Sequence, residues 1–239
     1  MPFRGLRFGP APPLAERHGS PFPTDHNAPR MLHEMTEAGI VLCGGRSSRM
    51  GTAKAILPFG PERLLQRVVR LLGEAVSTVV VVAAADQELP DLPRQVAIVR
   101  DQQLFCGPLA GLAGGLMALD ERAEFAYLTG CDFPFVSPAF VHRMFELARD
   151  YDAAVPVDLS GGKKLFHPLA AVYRTAVLPQ VRELLAADRL RLVDLFQVVR
   201  TCEVSLAKLE GVDRGLATLR NLNHPDEYQA ALAEAGFHA

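Results

Sequence analysis

A glycine-rich stretch at residues 42–54 carries basic side chains at a spacing that suits a polyphosphate. The apolar run 38–41 precedes it and a helical pattern at 64–72 follows, which predicts a strand, a loop and a helix. Glycines let a backbone turn its N–H groups towards a phosphate, and Arg49 and Lys54 add mobile positive charge. The spacing is neither that of the P-loop nor that of the dinucleotide fingerprint. The alternative is a tight turn with solvated arginines.

Two aspartates end predicted strands. Asp132 follows the apolar run 125–129 within the string Gly-Cys-Asp-Phe-Pro, and Asp101 follows the run 96–99. Open α/β sheets bind ligands at the carboxyl ends of their strands, and a carboxylate there can hold Mg²⁺. An Asx-turn or the N-cap of a helix starting near Pro138 is the alternative for Asp132.

Polar side chains also mark the last third of the chain. Taken alone, Asn223 is the N-cap of a helix that starts at Pro225, although its amide can also bind a ligand. A turn at 158–164 carries Lys163 and Lys164, and His167 follows it. Lysines in such turns are more often solvated than ligand-binding.

The apolar pattern predicts one α/β domain. We expect strands at 76–83, 153–157 and 202–206 besides those above, a hairpin strand at 165–173, and helices starting near Gly107 and Pro138 and at 175–187 and 191–199. This pattern predicts a three-layer α/β/α, Rossmann-like open sheet, mostly parallel. With 239 residues and 49% hydrophobic content, the chain can bury one large core.

Composition narrows the function classes. A net charge of −2 gives no basic field for nucleic acid, and no apolar run approaches the ~20 residues that span a bilayer. The cysteines form no C-x-x-C pair, which argues against zinc and favours reduced thiols in a cytoplasmic protein. They are Cys43, Cys106, Cys131 and Cys202.

The first 37 residues differ from the rest in being rich in proline. Proline breaks helices and strands, so we expect a disordered tail at 1–37 and a single domain at 38–239. Met31 and Met35 are alternative starts, and deletion of residues 1–36 should leave folding intact. We expect a monomer or a weak oligomer.

Four motifs in order resemble one family. Residues 42–54 resemble the signature loop of nucleotidyltransferases of the nucleotide-diphospho-sugar transferase fold, and the strings C-D-x-P and N-x-N-x-P resemble two further motifs of that superfamily. G-P-L-A-G-L at 107–112 is similar to the molybdenum cofactor guanylyltransferases rather than to the related cytidylyltransferases. The chain departs from the pattern at Ala53, Ala85 and His224, where relatives carry Asp, Asn and Thr.

The resemblance implies transfer of GMP from GTP to molybdopterin-type cofactor, with release of pyrophosphate and with Mg²⁺ as cofactor. It implies roles for matching residues: Arg49, Lys54 and Asp132 in catalysis; Leu42, Cys43, Gly44, Gly45, Lys54, Asp101 and Asp132 in nucleotide binding; Asp132 and Asn223 at the metal; and His167 and Asn221 on the substrate side.

Three alternatives remain open at this point. One is cytidylyl transfer to the same cofactor or activation of a sugar phosphate by the same fold. A second is a non-catalytic nucleotide-binding regulator. A NAD(P) oxidoreductase is disfavoured because no Gly-x-Gly-x-x-Gly follows the first strand.

Overall fold

The computed structural model describes residues 36–43, 53–101 and 107–237, which belong to one compact unit spanning Met35–Ala239. The predicted tail up to residue 35, Gly44, Gly45, Arg49 and Cys106 lie outside the described residues. The expectations for them stay predictions.

The described strands are β1 (Glu37–Cys43), β2 (Pro58–Phe59), β3 (Glu62–Arg63), β4 (Thr78–Ala84), β5 (Ala97–Asp101), β6 (Phe125–Gly130), β7 (Ala153–Asp158), β8 (Leu165–Phe166), β9 (Ala171–Arg174) and β10 (Thr201–Ser205). The described α-helices are α1 (Leu64–Gly73), α2 (Gly107–Leu119), α3 (Pro138–Ala148), α4 (Leu178–Ala186), α5 (Leu192–Leu195) and α6 (Pro225–Glu234). Short 3₁₀ turns occupy Lys54–Ile56, Asp120–Arg122, Pro168–Ala170, Thr175–Val177, Leu206–Lys208 and Ala217–Leu219.

One large sheet organises the chain, with strand order β10-β7-β9-β6-β1-β4-β5. Strands β5, β4, β1 and β6 are mutually parallel, and β10 is parallel to β7. Strand β9 runs antiparallel between β6 and β7, and β8 pairs with the carboxyl end of β7. The predicted open, mostly parallel sheet is confirmed.

Helices cover both faces of this sheet. Side chains of α1 and α3, such as Val68 and Phe140, pack in one apolar cluster with the strands. Side chains of α2 and α4, such as Leu112 and Val181, pack in a second cluster on the other face. Central strands therefore read as continuous apolar runs, because both of their faces are buried. The three layers agree with the sequence-based prediction.

Helix α2 approaches β1 closely, and glycine permits that approach. A Cβ atom at Gly115 would lie 2.7 Å from Ile40, and one at Gly111 would lie 2.9 Å from Leu42. The end of β1, where the glycine-rich loop begins, is thus fixed against this helix.

Three predicted elements are shorter than expected. The strand at 165–173 is broken by the turn Pro168–Ala170, because proline cannot donate to a ladder. The helix at 191–199 shrinks to Leu192–Leu195, and the helix at 175–187 starts with a 3₁₀ turn before Leu178.

Candidate functional site

Three side chains from distant parts of the chain meet at the carboxyl edge of the sheet. Lys54 Nζ donates hydrogen bonds to Asp132 Oδ2 at 2.7 Å and to Asn223 Oδ1 at 3.1 Å. The side chains of Lys54 and Asp132 are only 18% and 17% exposed, so solvent screens this ion pair weakly. The sequence predicted all three residues as site residues.

Lys54 opens the short turn Lys54–Ile56. The next residue, Ala55, is fully buried in the core, which fixes the turn at the edge of the sheet. Ala53, where the resemblance predicts an aspartate, offers no carboxylate to this lysine. Asp132 and Asn223 supply the oxygen partners instead.

Asp132 follows the end of β6. The N–H of Cys131 donates to the carbonyl of Leu42 at 2.9 Å, which extends the ladder between β6 and β1 past Gly130. Asp132 Oδ1 is turned back over Gly130, where a Cβ atom would lie 2.5 Å from this oxygen. The N-cap alternative for Asp132 is wrong, because Ser137 caps α3 by accepting from the N–H of Phe140.

Asn223 is held beside this turn by its neighbours. The N–H of Leu222 donates to the main-chain carbonyl of Asp132 at 3.0 Å. The carboxylate of Glu227 accepts from the N–H groups of Asn223 and His224 at 2.6 and 3.0 Å. His224, not Asn223, is the N-cap residue of α6. The Asn223 amide is therefore available to Lys54.

Glu227 is a positioning residue that the sequence reasoning missed. Hydrogen bonds from the Asn223 and His224 backbone are the main reason that its pKa lies below the usual value. Its place three residues after the N-cap is the capping-box spacing, which could have revealed it.

A buried polar anchor supports the Asp132 turn from below, and no sequence pattern indicated it. Thr218 Oγ1 accepts from the N–H of Ser137 at 3.0 Å and donates to the carbonyl of Phe135. The N–H of Thr218 in turn donates to the buried carboxylate of Asp213 at 2.9 Å. The segment before α6 is thereby tied to the loop after β6.

The thiols of Cys43 and Cys131 lie buried under the site. Cys43 ends β1 and Cys131 precedes Asp132, and both are free. The hydrogen bond to Cys131, followed by burial, raises the pKa of the Cys43 thiol well above its usual value. A buried thiol of raised pKa is a poor nucleophile, so Cys43 serves in packing, and Cys131 is buried beside it.

Other predicted residues lie farther away. The backbone of Asp101 ends β5, two strands from β1; its side chain lies outside the described residues. His167 lies between β8 and β9 in the chain, and its Nε2 is buried and has no protein partner. Lys164 pairs with Glu203 rather than with the site, and Asn221 shares the segment of Asn223.

A surface groove of about 670 Å³ lies at the opposite edge of the sheet, by the start of β4. Its lining includes Gln66, Val79 and Leu92 but none of the predicted site residues. Because parallel sheets bind ligands at the carboxyl ends of their strands, we place the site at the Lys54–Asp132–Asn223 cluster.

None of the helices in the described ranges is long and apolar enough to cross a membrane.

A family model described as the MobA-like NTP transferase domain matches residues 39–201. The chain belongs to this family. The match extends from β1 to the start of β10 and includes Lys54 and Asp132. It confirms the membership that the four motifs indicated.

Two relatives of similar sequence support this membership, and one solved structure shows the same fold. A probable molybdenum cofactor guanylyltransferase of Methanosarcina acetivorans is 30% identical, over 82% of this chain and 90% of that protein. One of Pelotomaculum thermopropionicum is 32% identical, over 79% and 88%. The crystal structure of molybdopterin-guanine dinucleotide biosynthesis protein A from Archaeoglobus fulgidus superimposes with a TM-score of 0.68 at 17% identity, covering 84% of this chain and 99% of that one.

Proposed function

We propose that this protein transfers GMP from GTP to the phosphate of a molybdopterin-type cofactor and releases pyrophosphate. The observation that carries the proposal is the convergence of Lys54, Asp132 and Asn223 at the carboxyl edge of the sheet. The relatives named as molybdenum cofactor guanylyltransferases, which align over most of the chain, support the choice of base and acceptor.

The reaction requires alignment and charge neutralisation. An oxygen of the acceptor phosphate forms a bond to the α-phosphorus of GTP while the bond to the bridging oxygen of pyrophosphate breaks in line. Negative charge grows on the leaving group, so cations aimed at it lower the barrier. Lys54 supplies one such cation at the edge of the sheet, and we propose Arg49 as another.

Asp132 and Asn223 fit a magnesium ion. A carboxylate oxygen and an amide oxygen converge on one cationic atom, and these are the hard donors that Mg²⁺ prefers. Within the described ranges no three His, Cys, Asp or Glu side chains form a metal-binding group, and Mg²⁺ commonly needs few protein ligands because phosphates and waters complete its shell. A bound Mg²⁺ would supply Lewis-acid polarisation of the phosphates.

We place the acceptor on the far side of β9. Asp158 and His167 lie there, at the carboxyl end of β7 and in the turn before β9. Burial lowers the pKa of His167, against the opposing charge of Asp158, so the imidazole is neutral near pH 7. Its buried Nε2 is available to a polar group of the acceptor. We assign the backbone at Leu42 to Gly45 and Asp101 to the nucleotide, and Asn221 to the acceptor side.

The first test is pyrophosphate release from GTP, CTP, ATP and UTP, with Mg²⁺ and purified molybdenum cofactor. We expect release with GTP and a loss of at least about 100-fold in Asp132→Ala, in line with removal of one group that stabilises transition-state charge. Asp150→Ala is the matched control, because Asp150 is exposed and follows the C-terminus of α3, whereas Asp132 precedes the N-terminus of that helix. It should keep wild-type activity.

Other outcomes of this panel distinguish the alternatives. Release with CTP in place of GTP would make the protein a cytidylyltransferase of the same mechanism. Nucleotide binding without release from any nucleotide would contradict transfer to molybdenum cofactor and would favour another acceptor or a nucleotide-binding regulator. We further propose that the protein works in the cytoplasm as a monomer or weak oligomer.

A further inference from the structure

The ammonium of Lys54 lies against the two side-chain oxygens that Asp132 and Asn223 would offer a divalent cation. It uses both oxygens that converge there, Asp132 Oδ2 and Asn223 Oδ1. The other carboxylate oxygen, Asp132 Oδ1, is turned back over Gly130. The convergent oxygen pair therefore holds one cation at a time.

Charge and burial explain why the ammonium stays there. An isolated carboxylate as buried as that of Asp132 is costly, so it requires a positive partner. Among the residues that the structure describes, Lys54 is the basic side chain paired with Asp132. Ala53, next to Lys54, carries no carboxylate that would compete for the ammonium.

We propose that Lys54 is the resident cation of this site, and that its ammonium must leave Asp132 and Asn223 before a divalent cation binds there. The inference rests on the proposed function in one respect, namely that a triphosphate offers the displaced ammonium new oxygen partners. Nucleotide and divalent cation then bind with positive coupling, because each favours the arrangement in which Lys54 has left the oxygen pair.

A titration with Mn²⁺ tests this without turnover. Free Mn²⁺ is followed by electron paramagnetic resonance in nucleotide-free protein. Lys54→Met removes the charge but keeps an unbranched side chain, and we expect it to bind Mn²⁺ at least about tenfold more tightly than wild type. Lys163→Met is the matched control, because Lys163 is exposed on the turn after β7, and it should bind as wild type does.

Two further variants test whether the gain in Mn²⁺ affinity arises at Asp132. The double variant Lys54→Met/Asp132→Ala should lose the gain, because it lacks the carboxylate that the ion would use. Lys54→Gln should reproduce the gain, and circular dichroism verifies that each variant is folded. Mn²⁺ should also raise the melting temperature of Lys54→Met more than that of wild type.

Equal or weaker Mn²⁺ binding by folded Lys54→Met and Lys54→Gln would overturn the inference. A gain that persists in the double variant would overturn it too, because the ion would then lie elsewhere. Neither result would affect the proposed transferase, which depends on pyrophosphate release. Conversely, a gain in Lys54→Met together with no release from any nucleotide would keep the resident cation and reject the transferase.

Discussion

At the scale of single residues, His167 is a titratable group that the fold partly buries. Its Nε2 is buried without a protein partner, and burial lowers its pKa from the usual value of 6.5. The unfolded chain therefore binds a proton more readily than the folded one at pH values below about 6.5. The stability that the protein has with a neutral His167 is therefore fully present above about pH 6.5. It is lost as the pH falls towards the lower pKa of the folded state.

We expect His167→Gln to flatten this part of the pH dependence. Between about pH 7.5 and pH 5.5, wild type should lose stability by at most about 1.4 kcal/mol per pH unit through this group. Urea unfolding at both pH values measures the loss. His142→Gln, on the exposed face of α3, should behave as wild type. An equal loss in His167→Gln would show that other groups cause the effect.

Residue types and spacing indicated Lys54 and Asp132, and the family resemblance added Asn223, but neither showed the contacts among the three side chains. The bonds join positions 78 and 169 residues apart. Pairing of β1 with β6 brings Lys54 near Asp132, and the hydrogen bond from Leu222 to the carbonyl of Asp132 brings Asn223 beside them. The capping-box spacing of Glu227 could have indicated that its carboxylate accepts from the backbone of Asn223, which leaves the Asn223 amide free for Lys54. Local patterns reveal the chemistry of a side chain, whereas its partners depend on tertiary packing.

At the scale of elements, the contact between α2 and β1 depends on particular glycines. A Cβ atom at Gly115 would lie 2.7 Å from Ile40, whereas one at Gly114 would lie 3.7 Å from Val82, an ordinary contact. We expect Gly115→Ala to destabilise the protein by about 1–3 kcal/mol through overpacking. Gly114→Ala should be neutral or stabilise it by up to about 1 kcal/mol, because alanine favours a helix.

Thermal and urea unfolding of the two variants provide the comparison. The substitutions are chemically identical and adjacent in the same helix, so their difference isolates the close approach. Similar stabilities for Gly115→Ala and Gly114→Ala would mean that α2 moves away from β1 at little cost.

Elements with strong apolar runs were predictable, and elements set by local irregularity were not. Strands β1, β4 and β6 are buried on both faces and so appear as uninterrupted apolar sequences. The strand expected at 165–173 has the right composition, but Pro168 interrupts its ladder and separates β8 from β9. The hairpin signal correctly predicted that this segment pairs antiparallel with β7. The periodicity did not show that β9 also pairs with β6.

At the scale of the whole molecule, the folded unit begins slightly before the predicted boundary. Strand β1 starts at Glu37, and the carbonyl of Thr36 accepts from the N–H groups of Glu124 and Phe125 at 2.8 and 3.3 Å. We expect a chain that starts at Met35 to keep the melting temperature of the full chain.

A chain that starts at Ala38 is the matched comparison. It lacks the Thr36 carbonyl and the first residue of β1, and each kcal/mol lost should lower the melting temperature by about 2–4 °C. Differential scanning calorimetry measures both chains. A large loss already in the chain from Met35 would show that residues 1–34 contribute to stability.

The three site residues are far apart in the sequence, so the ribosome synthesises them at different times. Strand β1 leaves the ribosome first, yet one of its edges stays unpaired until β6 has followed, because β4 covers only the other edge. The last of the described strands, β10, emerges before Asn223, which directly precedes α6. A nascent chain therefore contains every described strand of the sheet before it contains both oxygens of the cation site. A chain released between these two points lacks Asn223.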